Sequence, residues 1–251
     1  MNRCGFTARA ALASAALLAV AGVAGCGSGA ASTPVTSPAS PAANAASSAA
    51  APAGDSSFTG TSLYPIAVGN TWTYKLTTVG LSTGTTVDKI IKVAPVSGGN
   101  QVTATHTFNG ATTTETLLFG SGGTITMPLT SIGSTTVHVK SGGIVVPSQA
   151  VIESGQPATS TIVVAASVAG QSHTFTAHVT VRGLGSASVT VPAGTYHATI
   201  VQDTVSESIA GITVKIGIRN WLAPGVGPVK SQVTTNGTVV SGEELTSFIK
   251  G

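Results

Sequence analysis

Eight carboxylates and five histidines are the groups in this 251-residue chain that could move protons or hold a metal. The carboxylates stand at Asp55, Asp88, Glu115, Glu153, Asp203, Glu207, Glu243 and Glu244. Two of them could act as acid and base on a glycosidic bond only if distant strands brought them together, and spacing alone does not do that. Asp203 and Glu207 are four apart, on one face of a strand, and read as part of an outer polar face with Thr199. His173 and His178 are five apart, so they project from opposite faces of a strand and cannot share an ion through it. His106 falls on the apolar face of Val102 and Phe108, where a hydrogen-bonded core histidine is expected, while His138 and His197 fall on polar faces. No Asp-x-Asp-x-Asp-Gly calcium loop occurs.

Nucleophiles are no better announced. There is no Gly-x-Ser-x-Gly elbow, and Ser247-Phe248-Ile249-Lys250 matches Ser-x-x-Lys by letters without a helix or companion motif. Gly183-Leu184-Gly185 and Gly225-Val226-Gly227 lack the third glycine and the following helix of a phosphate cradle. Of the two tryptophans, Trp72 alternates with Tyr74 and Leu76 toward a core. Trp221 lies instead on the face of Lys215 and Arg219, out of phase with Ile212, Val214, Ile216 and Ile218. Trp221, Arg219 and Lys215 are therefore the candidate ligand-facing residues. No catalytic, metal or cofactor-binding set is expected.

The two cysteines are Cys4 and Cys26. Residues 1–25 have the three parts of an export signal: Arg3 and Arg9, an apolar Ala/Leu/Val run, then Ala21, Gly22, Ala24 and Gly25. Cleavage after them removes Cys4 and leaves Cys26 with no partner, which excludes a disulfide scaffold, CxxC redox chemistry and thiolate metal sites. The same cut takes two of the 11 Lys+Arg, leaving nine against 8 Asp+Glu. Near-neutral charge and few aromatics argue against nucleic acid as a partner.

The elements that must position these residues are strands. Only 8% of the chain is charged, and Thr, Val and Ser abound. Residues 26–57 are Ala/Ser/Pro-rich and bury too little to repay ordering; they read as a disordered tether about 30 Å in mean span. Residues 58–251 then form one domain of alternating strands. Asn109-Gly110 and Asn236-Gly237 are tight-hairpin signals. Turns are also expected at residues 97–100, 120–123, 141–143, 169–172 and 208–211. Strands are expected at 160–168, 173–182, 195–207, 212–221, 229–235 and 238–240, and helix outside the leader only near 149–153. The expected class is all-β: a large curved antiparallel sheet, open barrel or sandwich.

Two resemblances follow. Val23-Ala24-Gly25-Cys26 resembles the lipobox of bacterial lipoproteins, which implies diacylglycerol on Cys26 and cleavage before it. Gly69-Asn70-Thr71-Trp72-Thr73-Tyr74, with Pro65 before it, is similar to the opening of the uncharacterised DUF3108-like proteins. Val191-Pro192-Ala193-Gly194-Thr195-Tyr196 and the stretch Trp221-Leu222-Ala223-Pro224-Gly225-Val226-Gly227-Pro228-Val229-Lys230 are similar to their ending, with Pro at 228 in place of an aliphatic residue. That resemblance implies a curved antiparallel sheet and brings no catalytic residue with it.

The expectation is thus a membrane-anchored extracytoplasmic lipoprotein whose partner is the membrane, through Cys26. Its domain is expected to bind or to build rather than to catalyse. A carrier of lipid or another hydrophobic ligand is the alternative, against which the lack of cavity-closing helices counts. A secreted hydrolase is a further one, needing an assembled site that no motif signals.

Overall fold

The computed structural model describes residues 63–81, 83–128, 137–168, 171–209 and 212–251. The leader, Cys26, the tether and the side chains of His138 and His173 lie outside the described residues, as do residues 169–170 and 210–211 of two expected turns.

Alternating side chains with Thr on one face give β1 (Thr71–Thr78), where Trp72, Tyr74 and Leu76 are buried and Lys75 and Thr77 exposed. The same rule continues through β2 (Gly84–Val96), β3 (Gly99–Phe108), β4 (Ala111–Gly120), β5 (Ile125–Pro128) and β6 (Val137–Val146). Among the described residues one short helix, α1 (Gln149–Ser154), precedes β7 (Ala158–Val168), β8 (Gln171–Val191), β9 (Gly194–Ile209), β10 (Ile212–Ala223), β11 (Gly227–Thr235) and β12 (Thr238–Ile249). Each strand pairs antiparallel with the next, and β1 pairs with β12 from Thr71↔Ile249 to Thr78↔Ser241. The expected curved sheet therefore closes into a barrel, leaving no unpaired edge.

Local chemistry explains the hairpins. Asn109 and Gly110 (φ 47° and 79°) and Asn236 and Gly237 (φ 47° and 85°) are left-handed pairs, the conformation whose twist matches that of the flanking strands. The turn expected at 141–143 is absent: Ser141-Gly142-Gly143 runs inside β6, at a bulge between Val139 and Ser141. Gly142 there has φ 84°, and a Cβ on it would collide with Thr161 O of β7, so glycine serves a bulge that reads as a turn. Two strands also outrun their expected ends. β8 continues from Arg182 to Val191, and β12 from Val240 to Ile249.

The core is the inside of the barrel, with Ile144, Val179, Val201, Ile218, Val229 and Leu245 almost wholly buried. Many outward positions are Thr, Gln, Lys or Ser, as in Thr103 and Thr105 of β3 or Gln202 and Thr204 of β9, with Leu118 and Ile200 also outside. Among the described residues no helix is long and apolar enough to cross a membrane. Helix α1 lies against β8, where Gly183 leaves room for Ile152 O and Arg182 Nε donates to Gly155 O at 3.0 Å.

Candidate ligand cavity

The stretches that stood out in the sequence meet at one end of the barrel. Trp72 Nε1 donates to Val226 O at 2.6 Å, and Tyr74 OH donates to Pro228 O at 3.0 Å. Asn70, itself buried, donates to Pro65 O through Nδ2 and accepts from Gly251 N through Oδ1. Trp72 also stacks on Phe248, with ring centroids 5.3 Å apart. The β8–β9 turn folds in as well, Ala193 N donating to Leu245 O at 2.9 Å. Pro228 sits beside the register shift at Trp221/Leu222, where the ladder is already broken and a missing N–H is tolerated. The Gly-Asn-x-Trp-x-Tyr and Ala-Pro-Gly-Val-Gly stretches are thus a latch holding the first strand to the chain's last hairpins.

Beneath this latch lies a cavity. Its walls are mostly apolar, with Ile90, Val102, Leu117, Phe119, Ile125 and Leu222 among them. Counted out to its mouth, the cleft encloses about 900 Å³, open solvent included; only about 70 Å³ can seat the centre of a water molecule. The smaller figure is the one to set against a ligand.

Three carboxylates line the same space: Asp88 of β2, Glu115 of β4 and Asp203 of β9. Asp203 corrects the outer polar face expected for it. Thr199, Asp203 and Glu207 share the inward side of β9 with Val201 and Val205, and all five are buried. Asp203 Oδ2 accepts from Asn220 Nδ2 of β10 at 3.3 Å, while Oδ1 is buried with no hydrogen-bond partner among the described residues. Burial alone pushes the Asp203 carboxyl up to about 7, and burial also raises Glu207.

Across the ring, His106 Nδ1 and Asp88 Oδ1 are paired at 2.5 Å, each side chain about one-sixth exposed. This is the hydrogen-bonded histidine expected from its apolar face, with a carboxylate as its partner. Burial pulls the imidazole down, but the Asp88 hydrogen bond and the charges of Asp88, Glu243 and Glu115 outweigh it and hold His106 above its ordinary value. Glu243, inside the barrel at β12, accepts from Thr86 Oγ1 at 3.1 Å.

The residues singled out from the sequence lie on the other side of the wall. Trp221 is half-buried on the barrel's exterior with Lys230 Nζ 5.8 Å from its ring centroid. Arg219 is exposed and donates through Nε to Gln202 Oε1 at 3.1 Å; Lys215 is exposed beside the Asn236 turn. They are one residue out of phase with Asn220 and Leu222, which line the cavity. Asp203 carried one sequence signal, an acid that, like Glu207, has the same parity as Val201 and Val205. Among the described residues, no three of His, Cys, Asp and Glu stand together as metal ligands would. What the site offers chemically is an apolar socket with Asp88, Glu115, Asp203 and Asn220 among its polar lining.

A family model described as DUF3108-like matches residues 69–245, from the latch glycine to β12. Among solved structures, a protein from Bacteroides fragilis described as exported, with a YmcC-like fold, is similar at 19% identity and a TM-score of 0.53, over 76% of this chain and 100% of that one. A protein from Parabacteroides distasonis described as a lipoprotein is similar at 15% identity and a TM-score of 0.52, over 76% of this chain and 99% of that one. At these identities the likeness is one of fold. No curated protein matches.

Proposed function

Because the chain belongs to the DUF3108-like family, we propose that it is an exported, lipid-anchored barrel that binds a small ligand of largely apolar character and does not transform it. The observation that carries the binding reading is the mostly apolar cavity beneath the latch, with Asp88, Glu115, Asp203 and Asn220 among its polar lining. Apolar walls with a few polar groups among them are the usual make-up of a small-molecule site. A site of about 70 Å³ is too small to enclose the acyl chains of an intact lipid, which favours a compact ligand over lipid carriage. Among the described residues that line it there is no serine, threonine, cysteine or histidine, which favours binding over acyl transfer.

Export and anchoring rest on Val23-Ala24-Gly25-Cys26 and on the descriptions of the two similar structures as exported protein and lipoprotein. Two acyl chains on Cys26 supply the anchoring that one chain lacks. Replacement Cys26→Ser is expected to move the protein from the membrane fraction to the soluble extracytoplasmic fraction and to abolish labelling by a fatty-acid probe. Unchanged membrane association of that variant overturns the anchor. Native mass spectrometry of the released protein is expected to show a small-molecule adduct lost on unfolding. The binding reading fails if no adduct is seen and no member of an apolar fragment library binds.

A further inference from the structure

The barrel's two ends differ in how they stand to Cys26. The chain running on from Cys26 joins the described residues at Leu63, whose carbonyl lies near Gly227 and Trp72 in the latch. A membrane that holds Cys26 is thus joined to the barrel at its latch end. The opposite end, with the exposed Val79, Leu81 and Val239, lies a length of β1 further off, about 26 Å for eight residues.

On the outside of the latch end, strand register gathers apolar and basic side chains. Trp72 points inward, so Thr71 points outward, and it pairs with Lys89 of β2 on one side and Ile249 of β12 on the other. Pairing continues past β1: Gly69 N donates to Ile90 O at 2.9 Å and Ile90 N to Asn70 O at 3.0 Å, which brings Val68 level with Ile91. The register shift between Ile90 and Lys92 is a bulge, and it turns Ile91 and Lys92 both to the outside. Lys250 follows Ile249, and Gly251 lies against Gly69. Val68 and Ile249 are more than half exposed and Ile91 nearly half, and the three lysines are exposed.

Little in the surroundings offsets this charge. Asp88, Glu115, Asp203, Glu207 and Glu243 face the barrel interior. Of the described acids that leaves two outside: Glu153 on α1, beside β8, and Glu244, paired with Lys230 at 2.8 Å. With a carboxylate at Gly251 counted against Lys89, Lys92 and Lys250, the rim stays positive. Basic residues around short aliphatic ones suit an anionic lipid surface, where the cations meet headgroups and the hydrocarbon enters the interface.

We infer that the barrel docks by this rim on the membrane that holds Cys26. Val68, Ile91 and Ile249 enter the headgroup layer, and Lys89, Lys92 and Lys250 lie on anionic lipid. The inference rests on the anchor reading and adds an orientation to it: the latch end faces the bilayer and the Asn236-Gly237 turn faces away.

The test uses the lipidated chain in vesicles of phosphatidylcholine alone or of an equal mixture with phosphatidylglycerol. On the anchor reading, acylation occupies Cys26 and cleavage removes Cys4, so an introduced cysteine is the one free thiol. Val68→Cys and Val239→Cys each carry an environment-sensitive dye, one at each end of the barrel, so any pull of the dye itself is the same for both. In mixed vesicles, acrylamide is expected to quench the dye at position 68 severalfold less than in phosphatidylcholine, and the dye at 239 equally in both. A lysine near an anionic surface contributes a factor of about five, so joint Lys89→Gln, Lys92→Gln and Lys250→Gln should weaken docking about a hundredfold and restore quenching at 68. Joint Lys75→Gln, Lys215→Gln and Arg219→Gln, exposed bases away from the rim, should leave it protected.

Equal quenching at position 68 in the two kinds of vesicle overturns the docking surface, while flotation of the protein with the vesicles leaves the anchor standing. Equal protection at 68 and 239, or release by the second set of substitutions as great as by the first, also overturns it. Protein that does not float with either vesicle overturns the anchor reading and the docking inference together.

Discussion

Asp203→Asn tests the cavity wall through its effect on stability. The Asp203 carboxyl titrates near 3.8 in an unfolded chain and at about 7 when buried in the barrel. Between those values the folded protein binds more protons than the unfolded one, so the free energy of unfolding falls as pH rises. The contribution is fully present below about pH 4, declines through the window, and is gone above about pH 7. At 1.36 kcal/mol per pH unit, a gap of about three units makes the swing about 4 kcal/mol. Glu207, raised by burial, and His106, held above its ordinary value, slope the same way. They persist in the variant and cancel when the two proteins are subtracted.

The groups around Asp203 are known. Val181 of β8 and Ile218 of β10 are its register partners, Asn220 donates to it, and Asp88, Lys89 and Glu115 share its cavity. The assay is guanidinium unfolding followed by tryptophan fluorescence at pH steps from 4 to 9, without ligand. The native chain should lose about 4 kcal/mol more than Asp203→Asn across that range, most of it between pH 4 and 7. Parallel stability profiles, within about 1 kcal/mol of each other, would falsify the placement of Asp203 as a buried carboxylate without a charged partner.

Two further substitutions test the frame. Tyr74→Phe strands Pro228 O inside the latch and should cost about 1–3 kcal/mol in the same unfolding assay, and a change below about 0.5 kcal/mol means the bond contributes nothing. Gly183→Ala drives a methyl into Ile152 O and must displace α1 from β8, at about 1–3 kcal/mol or more. Its signature is faster amide exchange in residues 149–155, and unchanged exchange there counts against the contact.

The hairpins were legible because their causes are local. Asn109-Gly110 and Asn236-Gly237 dictate a left-handed pair whatever surrounds them, and the alternation of Trp72, Tyr74 and Leu76 states an inward face outright. Ser141-Gly142-Gly143 misled because a bulge and a turn ask for the same residue, and only the nearness of Thr161 O separates them. Asp203 was misplaced for a related reason. Both faces of β9 mix polar and apolar residues, Val201 and Val205 with acids on one, Ile200 with Gln202 and Thr204 on the other. Which face turns inward depends on closure between strands far apart in sequence, and no window on β9 contains that information. The latch motifs were visible as letters; their joint role needed Trp72 and Val226, 154 residues apart, to be seen in contact.

The β1–β12 seam has a consequence in time. A chain made from its N-terminus produces β1 first and the neighbour that completes it last, and Asn70 finally meets Gly251 across 181 residues. Contacts of such range are the slow ones in folding, typically milliseconds to seconds. Until then each molecule is a growing meander with two loose ends, one of them carrying Trp72, Tyr74 and Leu76. Lys75 on β1 and Glu243 and Glu244 on β12 are charges placed on those two strands, a pattern that discourages either from pairing with a neighbouring chain. Ring closure is therefore the step at which this sequence meets its risk of aggregation, and variants that weaken the seam should accumulate as oligomers before they lose their hairpins.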